Sequence, residues 1–237
     1  MSRIAVIAGH GALAPALIAR LDAPLVCALE GFAPDGAAVE TFRLERLVPF
    51  LDGLTDRGVD RVIFAGAIRR PRLDPEAFDP RTAQLVPRIL MAMQSGDDAA
   101  LRAVLDIFEE QGIAICSVEE IAPDLIPQAG ILTGEPSAAD RRDADRAAAI
   151  LHTLGPLDVG QGAVVAQGQC LAVETLPGTE AMLAFAGLHA GLRSNPDGAK
   201  GVFYKAPKPG QDRRIDLPTL GPDSVDQAAA AGLAGIA

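Results

Sequence analysis

Aromatic side chains are scarce in this chain of 237 residues, which has no tryptophan and one tyrosine. Because aromatics make up only 4% of the sequence, the core must be built mainly from alanine, leucine, isoleucine and valine. Cores of that kind suit helices packed on parallel sheets, whose strands are short aliphatic runs. The composition therefore favours an α/β fold.

Positive charge is also in short supply, because 21 lysines and arginines stand against 31 acidic residues and the net charge is −10. A nucleic-acid-binding protein needs a basic face for the phosphates, so we expect no nucleic-acid partner. The cations nevertheless gather in two places, around Arg70 and beyond Lys200. This gathering indicates either a local anionic ligand or two solvated basic loops, and charge alone leaves both open.

The chain has three cysteines, Cys27, Cys116 and Cys170, which lie far apart inside apolar stretches. Their spacing matches neither a disulfide framework nor a C-x-x-C metal site, so we expect buried thiols in a reducing compartment. No apolar run approaches the length of a membrane span, and the first residues lack the basic-then-apolar pattern of a signal peptide. We therefore expect a cytoplasmic protein.

Short aliphatic runs alternate with helical patterns over the first half of the chain. The runs predict strands at 3–9, 24–29, 60–66 and 113–116, and the intervening patterns predict helices at 44–55, 81–94 and 97–111. Strands that alternate with helices form parallel sheets through right-handed crossovers. The pattern therefore predicts an N-terminal parallel-sheet domain over residues 1–122.

The second half of the chain has a different sequence pattern. Residues 123–137 are rich in proline and glycine and lack a clear period, which predicts a linker. A charged helix is expected from Ser137 to Leu154, and Asp140, three residues after Ser137, suits an N-terminal cap. Short strands with tight turns follow at 162–166, 170–174 and 201–205. We therefore expect a smaller C-terminal α/β domain over residues 138–237.

The glycine turn after the first strand satisfies a loose dinucleotide-binding fingerprint, with Gly9, Gly11 and Ala14 in the required positions. Glu30 stands about where such folds place a ribose-binding acid. Glycines there let the backbone approach a phosphate, but similar turns also serve only to join a strand tightly to a helix. The turn leaves three interpretations open: phosphate or sugar contact, a structural turn, and an NAD-dependent oxidoreductase.

Arg70 follows another predicted strand, at the end where parallel sheets place their ligands. Pro71 favours an extended conformation for Arg70, which would aim its side chain away from the protein body. An arginine in a loop is often simply solvated, so the position alone does not decide its role.

The segment from Lys205 to Thr219 is the most informative part of the chain. If residues 213–217 are extended, Asp212, Arg214 and Asp216 project from one face, because side chains alternate along a strand. Lysines and arginine can neutralise phosphate oxygens, while a carboxylate can hold Mg²⁺ or orient a water molecule. The pattern indicates phosphoryl chemistry, and a surface ladder of salt bridges is the alternative.

Several short motifs together resemble the LpxI family, which hydrolyses UDP-2,3-diacylglucosamine in lipid A biosynthesis. They occur in the family's order along nearly the whole chain. The motifs are Gly9–Leu13, Ala65–Gly66 with Arg70–Pro71, Gly96–Asp98, Leu157–Gly162, Leu171–Glu174, Gly178–Met182, and Lys205, Lys208, Gln211, Arg214 and Asp216–Thr219 with Gly221.

The resemblance implies a Mg²⁺-dependent diphosphatase that forms UMP and 2,3-diacylglucosamine 1-phosphate. It implies an N-terminal Rossmann-like domain and a C-terminal catalytic domain, with the active site between them. Asp216 would be the catalytic residue, and Asp212 and Asp216 would hold the metal. The residues implied to bind substrate are Gly9, Gly11, Arg70, Gln161, Thr179, Lys205, Lys208, Gln211, Arg214 and Thr219.

A membrane-resident lipid substrate further implies transient contact with the inner leaflet of the cytoplasmic membrane, and a homodimer is left open. Two rival functions stay in view: an NAD-dependent oxidoreductase built on the glycine turn, and a sugar-nucleotide sensor that catalyses nothing. The oxidoreductase leaves the segment from Lys205 to Thr219 without a role.

Overall fold

We analysed a computed structural model, which describes residues 3–35, 39–69, 71–94, 96–215 and 217–237, except for the side chain of Asp97. The chain divides into two compact units. The first comprises Met1–Pro127 and Asp212–Ile215, and the second comprises Gln128–Gln211 and Asp216–Ala237. The division after Pro127 lies inside the predicted linker 123–137, and the predicted domain bounds stay a prediction.

The first unit contains a parallel sheet of five strands. The strands are β1 Arg3–Ala8, β2 Leu25–Leu29, β3 Glu40–Phe42, β4 Val59–Ala65 and β5 Ala114–Ile115, in the spatial order β3-β2-β1-β4-β5. All four neighbouring pairs run parallel, which confirms the predicted sheet. The sequence did not predict β3, because three residues that are largely exposed carry no hydrophobic period.

Six helices of the first unit are described: α1 Leu13–Ile18, α2 Leu47–Asp56, α3 Pro80–Ala83, α4 Val86–Gln94, α5 Asp97–Glu110 and α6 Val118–Ile121. The single helix predicted at 81–94 is wrong, since the chain forms α3 and α4 there. Pro87 explains the break, because it has no amide hydrogen for the carbonyl of Ala83. Its ring is tolerated in the first turn of a new helix, which is where α4 places it.

The sheet of the first unit is covered by helices on both faces. Residues on β1 alternate, so Ala5 and Ile7 face one core while Val6 and Ala8 face the other. Buried side chains of α2, α4 and α5 fill the first core, and those of α1 and α6 fill the second. The first unit is therefore a three-layer α/β structure, as the aliphatic composition predicts.

The second unit contains a mixed sheet of four strands. Its elements are α7 Ala138–Leu154, β6 Gly162–Ala166, β7 Gln169–Val173, α8 Gly178–Leu188, β8 Val202–Lys205, α9 Pro222–Ala230 and β9 Gly235–Ile236. The strand order is β7-β6-β8-β9, with β6 antiparallel to both neighbours and β8 parallel to β9. The smaller α/β domain expected from the sequence is confirmed.

The two faces of the second sheet pack against different helices. Helix α7 covers the face of Val165 and Tyr204, whereas α8 covers the face of Val164 and Phe203. The start of α7 has the predicted cap: the Ser137 hydroxyl accepts from the Asp140 amide at 3.2 Å, and an Asp140 carboxylate oxygen accepts from the Ser137 amide at 2.9 Å.

The three cysteines are free thiols, and two of them, Cys27 and Cys116, are buried. Burial raises the pKa of the Cys27 thiol to about 11. The prediction of burial is wrong for Cys170, which is exposed because it lies on the edge strand β7. Within the described part of the chain, no helix has both the length and the apolar composition needed to cross a bilayer.

Candidate phosphate-binding site

The glycine turn after β1 joins two loops of the first unit by backbone hydrogen bonds. The amide of Gly9 donates to Ala65 O at 2.7 Å, and His10 and Ala67 exchange bonds of 3.0 and 2.8 Å. A Cβ atom on Gly66 would lie 2.6 Å from Gly9 O, and the φ angle of Gly66 is +97°. The amides of Gly9 and His10 are thus occupied by protein carbonyls, which favours the structural interpretation of the turn. Contact between Gly9 and a substrate stays a prediction.

Of the other features of the dinucleotide fingerprint, the helix after the glycines is short and the acidic residue already has a partner. Gly11 adopts a φ of +101°, and the helix that follows, α1, has only six residues. The Glu30 carboxylate lies 3.4 Å from the guanidinium of Arg43. Glu30 therefore already has a cationic partner where a dinucleotide-binding protein needs a free ribose-binding acid. Arg70 lies outside the described residues.

A lysine in the second unit is held between a hydroxyl and a carboxylate. The ammonium of Lys205 donates to the Thr179 hydroxyl at 2.8 Å, and that hydroxyl donates to Glu174 Oε1 at 2.6 Å. The same carboxylate lies 3.7 Å from the Lys205 ammonium, and its other oxygen accepts from the Gln161 amide at 3.2 Å. The side chains of Lys205 and Glu174 are only 11% and 12% exposed. Three predicted substrate-binding residues, Gln161, Thr179 and Lys205, therefore share one carboxylate.

The strand period explains this arrangement. Phe203 on β8 is buried against α8, and Lys205 lies two residues further along, so it projects from the same face. Thr179 lies in the first turn of α8, and Gly178 just before it has a φ of +88°. The end of β8 and the start of α8 therefore bring the ammonium and the hydroxyl together.

A second lysine is fixed in the loop after β8. The Lys208 ammonium forms an ion pair with the Asp158 carboxylate, and the Lys208 side chain is 15% exposed. The Lys208 amide donates to the side-chain oxygen of Gln211 at 2.8 Å, and the Gln211 amide donates back to Lys208 O at 3.1 Å. We use the name lysine cluster for these two groups, which are Lys205 with Thr179 and Glu174, and Lys208 with Asp158.

Glu174 is a member of the lysine cluster that the sequence did not single out as a site residue. The signal was present, because Glu174 closes the Leu171–Glu174 motif that carries part of the family resemblance. A lone acid at the end of a strand has no periodic partner, so spacing alone could not connect it with Thr179 and Lys205.

The arrangement expected for residues 213–217 is wrong over Arg213–Ile215, which form a turn rather than an extended strand. The Asp212 carboxylate accepts from the Arg214 amide at 3.0 Å, and the Ile215 amide donates to Asp212 O at 3.3 Å. The Ile215 side chain packs against the core of the first unit. Burial of this apolar side chain, together with the turn bonds, outweighs the extended conformation.

Asp212 and Arg214 are nevertheless brought together by this turn. The Arg214 guanidinium donates to Asp212 at 2.7 Å and to Glu109 of α5 at 2.6 Å. The hydrogen bonds from Arg214 hold the pKa of the Asp212 carboxyl below its ordinary value, and those to Asp212 and Glu109 raise the pKa of Arg214. Asp216, the predicted catalytic residue, lies outside the described residues, and the hydroxyl of Thr219 donates to Leu217 O at 3.2 Å.

The predicted site residues thus divide between the two units. Gly9, Gly11, Asp212 and Arg214 belong to the first unit, whereas Gln161, Thr179, Lys205, Lys208, Gln211 and Thr219 belong to the second. The roles assigned to them stay predictions.

Asp212 is the described member of the predicted pair of Mg²⁺ ligands, because Asp216 lies outside the described residues. Among them, no group of three or more histidine, cysteine, aspartate or glutamate side chains is placed to hold a metal ion. Both carboxylate oxygens of Asp212, a predicted ligand, accept hydrogen bonds from Arg214. To hold Mg²⁺, the Asp212 carboxylate would have to exchange its guanidinium partner for the ion.

Two family models match the chain. The LpxI N-terminal domain matches residues 3–125, and the LpxI C-terminal domain matches residues 128–237. A relative from Caulobacter vibrioides, named UDP-2,3-diacylglucosamine pyrophosphatase LpxI, is 37% identical over 248 aligned positions. The alignment covers 100% of this chain and 88% of the relative. On both findings, the chain belongs to the LpxI family.

Proposed function

We propose that this protein hydrolyses the diphosphate bond of UDP-2,3-diacylglucosamine, releasing UMP and 2,3-diacylglucosamine 1-phosphate in lipid A biosynthesis. The observation that carries the proposal is the match of both LpxI family models along the chain, together with the 37% identical relative that is named for this activity. Neither family model nor the relative is named as an oxidoreductase, so the NAD hypothesis gains no support.

The two lysines of the lysine cluster support the proposal by their ammonium groups and their fixed positions. A diphosphate carries negative charge on several oxygens, and ammonium groups fixed before binding stabilise such charge without reorganising. Lys205 is held by Thr179 and Glu174, and Lys208 is held by Asp158. An ammonium group has three N–H donors, so both lysines can donate to a phosphate oxygen while their present partners hold them in position.

Asp216 is the proposed catalytic residue, on the support of the family motif that ends in Leu217–Thr219. A carboxylate can orient a water molecule for attack on phosphorus and accept its proton, which is general-base chemistry. Mg²⁺ dependence, which the family resemblance implies, is part of the proposal. So is a cytoplasmic enzyme that contacts the inner leaflet transiently, because two acyl chains anchor the substrate in a membrane.

Direct turnover tests the proposal. The full chain is incubated with UDP-2,3-diacylglucosamine and Mg²⁺, and ³¹P NMR follows UMP and the acylated sugar phosphate. We expect turnover by the wild type, loss of turnover in Asp216→Ala, and loss on addition of EDTA. Asp223→Ala is the matched control, because Asp223 is an acid of the same unit in the first turn of α9.

The outcomes of this experiment test the function, the Mg²⁺ dependence and the role of Asp216 separately. Failure of the folded wild-type protein to release UMP would overturn the proposed function and would favour the non-catalytic sensor. Full activity in EDTA would overturn the Mg²⁺ dependence alone. Full activity of Asp216→Ala would overturn the role of that residue alone.

A further inference from the structure

The second unit contains a cavity that is lined in part by one member of the lysine cluster, Lys208. Its volume is about 390 Å³, and it lies between α7 and the chain that leaves β8. Helix α7 contributes Ala148, Leu151 and His152 to its wall, and β8 contributes Tyr204. Small-molecule sites range from about 300 to 1,000 Å³, so this volume suits a fragment of a nucleotide rather than a whole acylated substrate.

One wall of the cavity is a proline-rich strap, Pro207–Pro209, that the structure holds in place. A Cβ atom on Gly155 would lie 2.5 Å from Pro209 Cδ, so the strap packs tightly on the end of α7. The paired hydrogen bonds between Lys208 and Gln211 close the loop behind it. A wall fixed before binding lowers the entropic cost of holding a rigid ligand.

The cavity wall combines aromatic rings with a cation. The residues that line it include Tyr204 and His152, which carry rings, Ala148 and Leu151, which are apolar, and Lys208, whose ammonium group forms an ion pair with Asp158. Aromatic side chains stack on the flat face of any nucleobase, and the ammonium suits the phosphate attached to the nucleoside. An acyl chain would use the apolar surface but neither the rings nor the charge.

We infer that this cavity takes the pyrimidine ring of the substrate's nucleoside, with Lys208 meeting the adjoining phosphate. The inference rests on the proposed function and adds the location of the base. The inference also assigns different roles to the two lysines. Lys208 lines the cavity together with Tyr204, whereas Lys205, the neighbour of Tyr204 on β8, projects from the opposite face of the sheet. Lys208 would thus serve the nucleoside end of the diphosphate, and Lys205 would serve the other end.

The sequence provides a single reporter for the cavity, because Tyr204 is the only tyrosine. The full chain labelled with 3-fluorotyrosine should give one ¹⁹F resonance. We expect UMP to shift this resonance saturably and ribose 5-phosphate, which lacks the base, to leave it in place. A resonance that ignores UMP, or that responds equally to both ligands, would overturn the inference.

Filling the cavity gives a second measurement. Ala148→Leu should weaken UMP binding about tenfold or more, the order expected when one stacking contact is lost. Ala144→Leu, one turn earlier on the same face of α7, is the matched control and should bind UMP normally. If Ala148→Leu fails to fold, His152→Ala tests the same wall from an exposed position. Unchanged affinity in a folded variant of the wall would contradict the inference.

Kinetics separate this inference from the proposed function. With UDP-2,3-diacylglucosamine, Ala148→Leu should raise KM and leave kcat nearly unchanged, since base binding is the same in ground and transition states. A saturable UMP shift in a protein without turnover would support the base site and overturn the diphosphatase. Turnover in a protein whose tyrosine responds to 2,3-diacylglucosamine 1-phosphate but not to UMP would support the diphosphatase and overturn the base site.

Discussion

The charged side chains of ion pairs differ in solvent exposure between the two units. In the first unit the arginines of the described ion pairs lie at the surface, as Arg88 does with Asp106 and Glu110, whose side chains are 38%, 56% and 55% exposed. One acidic partner there, Glu45, is buried beside Arg43. In the second unit, Lys205 and Lys208 are withdrawn from solvent to 11% and 15% and face Glu174 and Asp158.

We interpret this difference as one between charge that keeps a surface soluble and charge that, under the proposed function, is held for a ligand. Exposed pairs contribute little to stability, typically about 0–1 kcal/mol. Ion pairs withdrawn from water lose the favourable hydration free energy of both charges. Their mutual attraction barely compensates for this loss, so they contribute little to stability. Two such lysines in one small unit therefore indicate a binding role, and the following variants test that distinction.

The largest expected effect belongs to the glycine turn of the first unit, which we interpret as structural. Gly66→Ala places a Cβ atom 2.6 Å from Gly9 O at a φ of +97°, so both a clash and backbone strain result. We expect a loss of about 3 kcal/mol in the free energy of unfolding, the upper end of the usual cost of a strained residue. Urea denaturation followed by circular dichroism measures it.

Gly53→Ala is the matched control for that variant. Gly53 lies inside α2, and a Cβ there would meet only the far end of the Arg57 side chain, at 3.8 Å. Alanine favours helix over glycine by roughly 0.5–1 kcal/mol, so this variant should be as stable as the wild type or more so. Equal stability of Gly66→Ala and Gly53→Ala would contradict the structural role of the turn.

The next effect concerns activity. Lys205→Met keeps most of the side-chain length and removes the ammonium, which should lower kcat/KM for UDP-2,3-diacylglucosamine about a hundredfold, as loss of one fixed donor does in other enzymes. Arg88→Met removes a cation from an exposed pair of the first unit and should leave kcat/KM unchanged. If both variants lose activity equally, the distinction between the two kinds of charge fails.

Glu174 should have a smaller effect, because it acts through its neighbours. Glu174→Ala removes the acceptor for the Thr179 hydroxyl and the Gln161 amide and frees Lys205, so we expect kcat/KM to fall about tenfold, as one lost charge-assisted hydrogen bond predicts. Glu174→Gln retains an oxygen at the same place and should recover most of the activity. A Glu174→Ala enzyme as active as the wild type would show that Lys205 needs no positioning.

Helices and strands could be predicted from the sequence far better than turns and side-chain contacts. Strand β6 lies at Gly162–Ala166 as predicted, because five consecutive buried residues leave no competing pattern. Residues 213–215 were predicted wrongly because local alternation carries no information about Ile215, whose burial against the first unit's core depends on tertiary contacts. The contact of Glu174 with Lys205 could not be predicted for a similar reason: the two residues are 31 positions apart, and only the pairing of β7 and β8 on either side of β6 relates them.

The smallest expected effect is that of a substitution at Asp212, whose solvent exposure is intermediate between that of the surface ion pairs and that of the two lysines. The Asp212 side chain is 20% exposed and its partner Arg214 is 41% exposed, and hydrogen bonds from Arg214 lower the pKa of the carboxyl. A depressed folded pKa stabilises the protein above the unfolded pKa of about 3.9. That contribution is lost as pH falls through the folded pKa. Asp212→Asn should therefore cost about 0.5–1 kcal/mol at pH 7, and the difference from wild type should shrink below pH 4.

Urea unfolding of both proteins at pH 7 and pH 3 measures this difference. Asp52→Asn is the control, because it removes the exposed pair with Arg81 in the same unit and should cost less at pH 7. A difference that grows as the pH falls would mean that Arg214 does not stabilise the Asp212 carboxylate. A difference that is constant with pH would mean that the turn depends on the shape of the side chain rather than on its charge. In either case Asp212 would be as free as an ordinary surface acid to leave Arg214, which is what a metal ligand at that position requires.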